Sequence, residues 1–170
     1  GAGVFLAQRP RARLAGREKG LPSAFAQPLR DLSKDPAARP RMFAALALSK
    51  RTGAFGELAA SEDPEWKMET SGATLLSIFQ RDAADPFMRL ALLPAMLRAP
   101  SEMLEALIAA ADPAAPGHSE MTALLAEAAA PRLSAKQASA LLKNAAAISA
   151  QKPGIVQAAI AGLAAGLESN

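Results

Sequence analysis

The only histidine of the chain, His118, is the first residue whose chemistry has to be considered. With Glu120 it forms a His-x-Glu pair like the one that opens the metal motif of zinc deaminases, but that motif also requires a pair of cysteines. The chain contains no Cys, which excludes this zinc site and the C-x-x-C-H attachment of haem within it. A hydrolase triad would need a serine on a G-x-S-x-G turn, and the sequence has none. We therefore predict that His118 is an exposed loop residue and that the chain is not an enzyme.

The acidic residues around Trp66 are a second candidate, because paired carboxylates catalyse glycoside hydrolysis. A sugar site also needs aromatic platforms, and the platform here is limited to Trp66. Several acids within one short helical stretch are typical of a solvated helix face, so we predict no catalysis at this cluster. Its members are Glu57, Glu62, Asp63, Glu65 and Glu69.

Methionine could ligate haem, and the chain has six. Met88, Met96 and Met103, however, recur at the spacing of a helix core, where Met fills irregular gaps. We predict that they pack in the core and that the chain binds neither a cofactor nor a metal.

Arginines follow two Asp-Pro dipeptides at regular distances. Arg39 lies four residues after Asp35, and Arg89 lies four residues after Asp85, so each acid is predicted to pair with its arginine on one helix face. A second interpretation stays open, in which these arginines form an anion-binding or protein-interaction surface. The candidate residues of that surface are Arg39, Arg41, Trp66 and Arg89.

The positive charge of the chain is concentrated at one end. The formal net charge is +3, but residues 1 to 51 hold 11 Lys or Arg against 3 acids. Such a basic half could face nucleic acid, an acidic lipid surface or an acidic protein. The alternative is a solvated helix edge with an Arg-rich loop, which we favour.

The composition predicts helices as the elements that position these residues. Apolar residues make up 51% of the chain, yet it has one Trp and no Tyr, and Ala supplies much of the apolar fraction. Ala is the strongest helix former, so we expect an all-α chain without a sheet. Its 170 residues suit one domain, 1–170, with 9–22 as a loop or ragged connection. The apolar run 153–167 is too short to cross a membrane.

Asp-Pro occurs four times, at Asp35, Asp63, Asp85 and Asp112, and each occurrence is predicted to start a helix. Asp caps the first free N–H groups, and Pro fits the first helical position. Ser134 and Gln137 have the spacing of a capping box. The predicted helices run near 23–33, 36–51, 64–80, 86–97, 100–111, 119–129, 134–149 and 153–168.

Helical spacing of apolar residues predicts which side chains are buried. The helix from Pro86 is apolar on two sides, which predicts that neighbours sandwich it, and Pro94 is predicted to kink it. Gly162 and Gly166 are predicted to permit close helix approach. Residues 9–20 are expected to be exposed. The residues predicted to be buried are Leu46, Leu48, Phe79, Leu90, Leu107, Leu142 and Ile160.

Two segments, DPAARPRMFAALALSK from Asp35 and DPFMRLALLPAML from Asp85, resemble the second helix of a HEAT repeat. With its preceding RDAA, the second segment resembles the HEAT-like region of large bacterial proteins that join a membrane-bound dehydrogenase-like propeller to a cytochrome c domain. The closing QAAIAGLAAGLE is similar to the helix that often ends that region. The chain departs from the repeat pattern at Pro40, which replaces the usual branched residue.

The resemblance implies a HEAT-like right-handed α-solenoid of stacked antiparallel helix pairs, taken from a larger, haem-binding protein. Such a protein would be exported or periplasmic. The expected function is a non-catalytic scaffold that spaces or docks domains, with protein as its partner. Binding of nucleic acid or another anionic surface through the basic N-terminal half is the alternative.

Overall fold

A computed structural model describes residues 26–49 and 68–169, and these residues form eight α-helices without a strand. The all-α prediction is confirmed for this part of the chain. Trp66, residues 9–22 and the Asp63-Pro64 helix start lie outside the described residues. The helices are α1 (Ala26–Ser33), α2 (Ala38–Ser49), α3 (Ala73–Asp82), α4 (Pro86–Met96), α5 (Pro100–Ala110), α6 (His118–Ala129), α7 (Ala135–Ile148) and α8 (Pro153–Glu168). A π-helical turn, Met68–Gly72, precedes α3, and a 3₁₀ turn, Ala130–Arg132, follows α6.

The start of α4 follows the predicted Asp-Pro chemistry, whereas the turn at Asp112 does not. The Asp85 carboxylate accepts a hydrogen bond of 2.8 Å from the Phe87 N–H, and Pro86 occupies the first turn. Asp112 likewise accepts from Ala114, at 2.9 Å, but a turn follows and α6 begins only at His118. The prediction of a helix from Asp112-Pro113 was wrong, because the chain first reverses through a left-handed glycine at 117.

The capping box at the start of α7 is confirmed. The Gln137 N–H donates to Ser134 Oγ at 3.3 Å, and the Ser134 N–H donates to Gln137 Oε1 at 2.9 Å. Two free backbone donors are thereby satisfied by side chains. The helix therefore starts where its sequence pattern places it.

The helices contact each other in a regular order. Each odd-numbered helix contacts the even-numbered helix that follows it, which gives the pairs α1/α2, α3/α4, α5/α6 and α7/α8. Contacts also join each odd-numbered helix to the next odd-numbered one and each even-numbered helix to the next even-numbered one. Every pair in the described part therefore contacts the next pair through both of its helices.

The core runs along this series of pairs, and it contains some but not all of the predicted residues. Leu48, Phe79 and Leu107 are buried, and Leu46 is half-buried against the core. Met88, Met96 and Met103 are fully buried, as predicted for core methionines. The predictions of burial for Leu90, Leu142 and Ile160 were wrong, because each is about half exposed.

Helix α4 shows why Leu90 is exposed. The helix buries Met88, Leu92 and Met96, and Leu90 is two residues from both Met88 and Leu92, which rotates it about 200° around the axis. Phe87 is 73% exposed, so one side of α4 is open, while α2, α3 and α6 all contact the helix. The helix continues through the exposed Pro94 and ends at Met96.

Helices α6 and α8 pack so closely that the backbone of α8 contacts that of α6 at two glycines. A Cβ placed on Gly162 would lie 2.3 Å from the carbonyl oxygen of Ala123, and one on Gly166 would lie 2.2 Å from that of Glu127. No side chain larger than hydrogen fits at either position without moving the two helices apart. The predicted role of these glycines in close helix packing is confirmed.

We predict that Gly162→Ala lowers the free energy of unfolding by about 1–3 kcal/mol, because the new methyl group overlaps a backbone oxygen. This loss exceeds the ~1 kcal/mol that Ala gains over Gly in a helix. Gly154→Ala is the matched control, since a Cβ there meets nothing within 4 Å. Urea unfolding followed by circular dichroism should show the loss for Gly162 alone, and equal stability of the two variants would contradict the close packing.

No helix in the described ranges is long and apolar enough to cross a membrane.

Candidate interaction surface

Arg41, one of the candidate surface residues, is buried and ties three parts of the chain together. Its Nε and Nη2 atoms donate to the two carboxylate oxygens of Asp82, at the end of α3, over 2.6 and 2.5 Å. Its Nη1 atom donates to the carbonyl oxygens of Asp35 and Pro36, at 2.5 and 2.9 Å. The hydrogen bond to Asp82 raises the pKa of Arg41 above its ordinary value, although burial opposes the charge. The Arg41 side chain therefore links parts of the fold internally and is not exposed on its surface.

Arg89 makes the corresponding contacts one helix pair later. Its Nη1 atom donates to the carbonyl oxygens of Ala83 and Ala84, at 2.6 and 3.2 Å. These carbonyls lie six and five residues before Arg89, as Asp35 and Pro36 do before Arg41. The two arginines are thus equivalent at a separation of 48 residues.

The starts of α2 and α4, at Ala38 and Pro86, show the same separation of 48 residues. This register differs by two residues from the predicted alignment of Asp35 with Asp85. The predicted pairing of Asp85 with Arg89 is not formed. The Asp85 carboxylate caps α4 instead, and Arg89 binds backbone carbonyls. These carbonyls lie in the links that follow α1 and α3, and the guanidinium groups supply hydrogen-bond donors to them.

Two further basic side chains bind backbone carbonyls of the preceding helix pair. Arg81, at the end of α3, donates to the carbonyl oxygens of Lys34 and Pro36 at 3.4 and 3.5 Å. Lys152 donates to the carbonyl oxygens of Ile108, at 3.4 Å, and Ala109, near the end of α5. Basic residues outside the positively charged segment 1–51 thus also bind within the fold, as Arg41 of that segment does.

Arg39, by contrast, is exposed, and it lies on an apolar surface. Phe43 is one helical turn after Arg39, and both are two residues from the buried Arg41, which places them on the opposite side of α2. On α4 the corresponding outward side carries Phe87, Leu90 and Pro94. Because α2 and α4 contact each other, we call these residues together the α2/α4 surface.

The α2/α4 surface is apolar with a positive edge. Phe43, Phe87 and Leu90 are 56%, 73% and 59% exposed, and neither helix contains an acidic residue. The sequence interpretation included Arg39 but missed the three apolar residues. Phe43 and Leu90 each lie two residues from buried neighbours, whereas Phe87 adjoins the buried Met88, and the apolar character of the whole of α4 obscured this pattern.

His118 is buried, so the prediction of an exposed loop histidine was wrong. Its ring lies 4.4 Å from the ring of Phe79, centroid to centroid, and its Nδ1 accepts a hydrogen bond of 2.8 Å from the Asp112 N–H. Gly117, with φ of 81°, brings the ring there, and a Cβ on it would lie 1.8 Å from the Ala83 carbonyl oxygen. Because Nδ1 accepts this backbone hydrogen bond, its lone pair is already used and it carries no proton. His118 therefore joins α3 to α6.

Most of the remaining candidates for chemistry lie outside the part of the chain that the structure describes. Glu69 is exposed in the π-helical turn, and Trp66 with the other acids of its cluster lies outside the described residues. Within residues 26–49 and 68–169, no three His, Asp or Glu side chains are grouped so that they could hold a metal ion.

Comparison of the chain with protein-family models, with curated proteins and with solved structures finds no match. The site must therefore be interpreted from its own geometry.

We predict that Arg41→Ala destabilises the fold by about 3–5 kcal/mol, because it leaves the Asp82 carboxylate buried without a cation. Asp82→Asn should lower stability for the reciprocal reason. Thermal unfolding of both variants provides the measurement. Arg39→Ala removes an exposed arginine from the same helix and should change stability by less than about 0.5 kcal/mol.

The double variant Arg41→Met/Asp82→Leu separates the two possible sources of that loss. Removing both charges together should recover much of the stability, since no unpaired charge remains. A double variant as unstable as Arg41→Ala would show that the bonds from Arg41 to the Asp35 and Pro36 carbonyls dominate instead.

Proposed function

We propose that this chain is a HEAT-like right-handed α-solenoid of stacked antiparallel helix pairs that acts as a non-catalytic scaffold. In this proposal it spaces or docks the domains of a larger protein and carries its own protein-binding surface on α2 and α4. The observation that carries the proposal is the equivalence of Arg41 and Arg89. Each arginine binds two carbonyls in the link between the helices of its pair, six and five residues before it, and the two arginines are 48 residues apart.

The order of helix contacts supports the same proposal. In a solenoid each structural repeat contacts its neighbours, and the odd-numbered and even-numbered helices form two separate layers. The contacts α1/α3, α3/α5 and α5/α7 in one layer, and α2/α4, α4/α6 and α6/α8 in the other, follow that order. The contacts of Arg81, His118 and Lys152 each connect one helix pair to the next, and they would keep neighbouring repeats at a fixed angle.

The α2/α4 surface supports the proposal of protein docking. Exposed aromatic side chains beside an arginine are typical of the energetically dominant residues of interfaces. Arg39 is the charged member of this surface and favours a partner with acidic residues beside an apolar stripe. An amphipathic, acidic helix of a flanking domain would meet these requirements.

The identity of the larger protein is proposed from resemblance alone. The segments that begin at Asp35 and Asp85 favour a fusion of a dehydrogenase-like propeller with a cytochrome c domain, outside the cytoplasm. In such a protein the redox chemistry would belong to other domains. The helical segment would only hold those domains at a fixed distance and orientation.

We predict that the helix pairs hold a fixed distance in solution, as a spacer requires. The chain has no Cys, so Arg39→Cys/Lys143→Cys places spin labels at two exposed positions on α2 and α7 alone. Pulsed electron–electron double resonance should give one narrow distribution of the distance between the two labels. Lys136→Cys/Lys143→Cys, within α7, provides the width set by the labels themselves. A broad or bimodal distribution for the first pair only would contradict a rigid spacer.

The excess of basic residues between 1 and 51 favours the alternative function, binding of nucleic acid or another anionic surface. Affinity for phosphates falls steeply as salt concentration rises, whereas apolar docking does not. We predict no measurable change in the fluorescence anisotropy of labelled double-stranded or single-stranded DNA and RNA at physiological salt. Tight binding with a steep salt dependence would replace the scaffold proposal.

A further inference from the structure

Three basic side chains at helix α7 are exposed and have no partner in the described part of the chain. Arg132 lies in the 3₁₀ turn before α7, and Lys136 and Lys143 lie within the helix. Within the residues that the structure describes, these side chains form no ion pair or hydrogen bond. Arg41 and Lys152 differ, because they bind a carboxylate or backbone carbonyls inside the fold. The three cations at α7 are therefore free to bind a partner.

The sequence around these cations contains no acid. Residues 128–167 include four Lys or Arg and no Asp or Glu. Glu105 of α5 faces α7, where its carboxylate accepts a hydrogen bond of 3.2 Å from the Asn144 amide. Asn144 is about 80° around the helix from Lys136 and about 100° from Lys143, so Glu105 lies to one side of the lysines. The lysine side of α7 therefore carries charge of one sign, which attracts an acidic partner.

Apolar side chains are exposed beside the lysines. Leu142 on α7 is 46% exposed and follows Lys143 directly, which places it about 100° around the helix. It lies on the side away from Asn144 and therefore away from α5. On α8, Ile160 is 48% exposed and lies two residues from Gly162, which packs on α6, so Ile160 faces away from α6. Both apolar residues therefore face away from the preceding helix pair.

The α7/α8 surface consists of Arg132, Lys136, Leu142, Lys143 and Ile160. Its positive charges lie at one edge, on α7, and α8 carries no charge before Glu168. The two lysines are seven residues apart, which is about 10 Å along the helix axis. On the same side between them, Ser139 and Ala140 are exposed and small, so another helix can lie close to α7 there.

The spacing of the lysines favours a helix over a lipid surface as the partner. In helices that pack side by side, acidic and basic residues that recur every seven residues pair along an apolar seam. A face that binds a membrane needs large apolar side chains that reach into the bilayer. Leu142 and Ile160 are each about half covered by the fold, which leaves little apolar area to insert.

We propose that the α7/α8 surface binds an amphipathic α-helix of a partner protein, in which Asp or Glu recurs every seven residues beside an apolar stripe. The acids pair with Lys136 and Lys143, and the stripe covers Leu142 and Ile160. This adds a second docking surface to the one proposed on α2 and α4, and each surface can bind or fail to bind by itself. With both surfaces, the scaffold would hold two partners at once.

An NMR titration of the whole isotope-labelled chain tests the proposal, because its amide signals report on each surface separately. The probe is a helical peptide of about 20 residues, built from repeated heptads with Leu and Ala on one face and Glu at a flanking position. We expect amide signals of α7 and α8 to shift along one binding curve, with a dissociation constant on the order of 100 µM that rises with salt. The same peptide with Lys in place of Glu should bind at least about 10-fold more weakly.

Lys136→Glu/Lys143→Glu should weaken binding of the acidic peptide at α7 at least about 10-fold, because like charges then meet. Lys34→Glu/Arg39→Glu is the matched control, since it changes the net charge equally at two exposed positions of the first helix pair. This control should leave the shifts in α7 and α8 unchanged. Circular dichroism should show that both variants remain folded.

Three results would overturn the proposal. Signals that shift only in α2 and α4, or in no helix, would show that the α7/α8 surface does not bind the acidic helix. Equal weakening at α7 by the two double variants would show a general effect of net charge. Binding of phosphatidylglycerol vesicles that is lost in Lys136→Glu/Lys143→Glu, without a response to the peptide, would assign the surface to lipid.

Discussion

The fold depends on basic side chains that bind backbone carbonyls in the links between helices and, at α5, in the last turn of a helix. Each pair needs a link between its two helices, and the backbone carbonyls of that link need hydrogen-bond donors. Arg41 and Arg89 supply the missing donors within their own pairs, whereas Arg81 and Lys152 supply them across pairs. Arg41 also binds both oxygens of Asp82, so one guanidinium connects α2 with the end of α3 and with the link that follows α1.

The two ends of the described helical series are built differently. Around α1 to α4, polar joints and large side chains such as Phe79 and Met88 fill the space between helices. Around α6 and α8, the helices touch through Gly and Ala, with carbonyl oxygens beside the glycines. His118 and Gly117 stand between these regions and lock the turn before α6 against the end of α3. Removal of a charge should therefore affect the first region, and added volume should affect the second.

The sequence predicted the helices better than their faces. Local chemistry, such as the Asp85 cap and the Ser134–Gln137 box, determines where helices start, and such signals are readable from neighbouring residues. The faces depend on distant partners. Arg41 pairs with a carboxylate 41 residues away, and His118 packs on Phe79 through a reversal at Gly117. Leu90 was misplaced because a helix apolar on all sides gives no periodic signal for the side that is buried.

Native-state hydrogen exchange of Arg89→Ala tests most directly whether neighbouring pairs alone stabilise one another. The stacked-pair account predicts that amide protection falls most in α3 and α4, less in the adjoining pairs, and least in α7 and α8. The wild-type chain, measured at the same pH and temperature, provides the reference for each helix. An equal loss of protection in all eight helices, α7 and α8 included, would show a single cooperative core and would contradict the account.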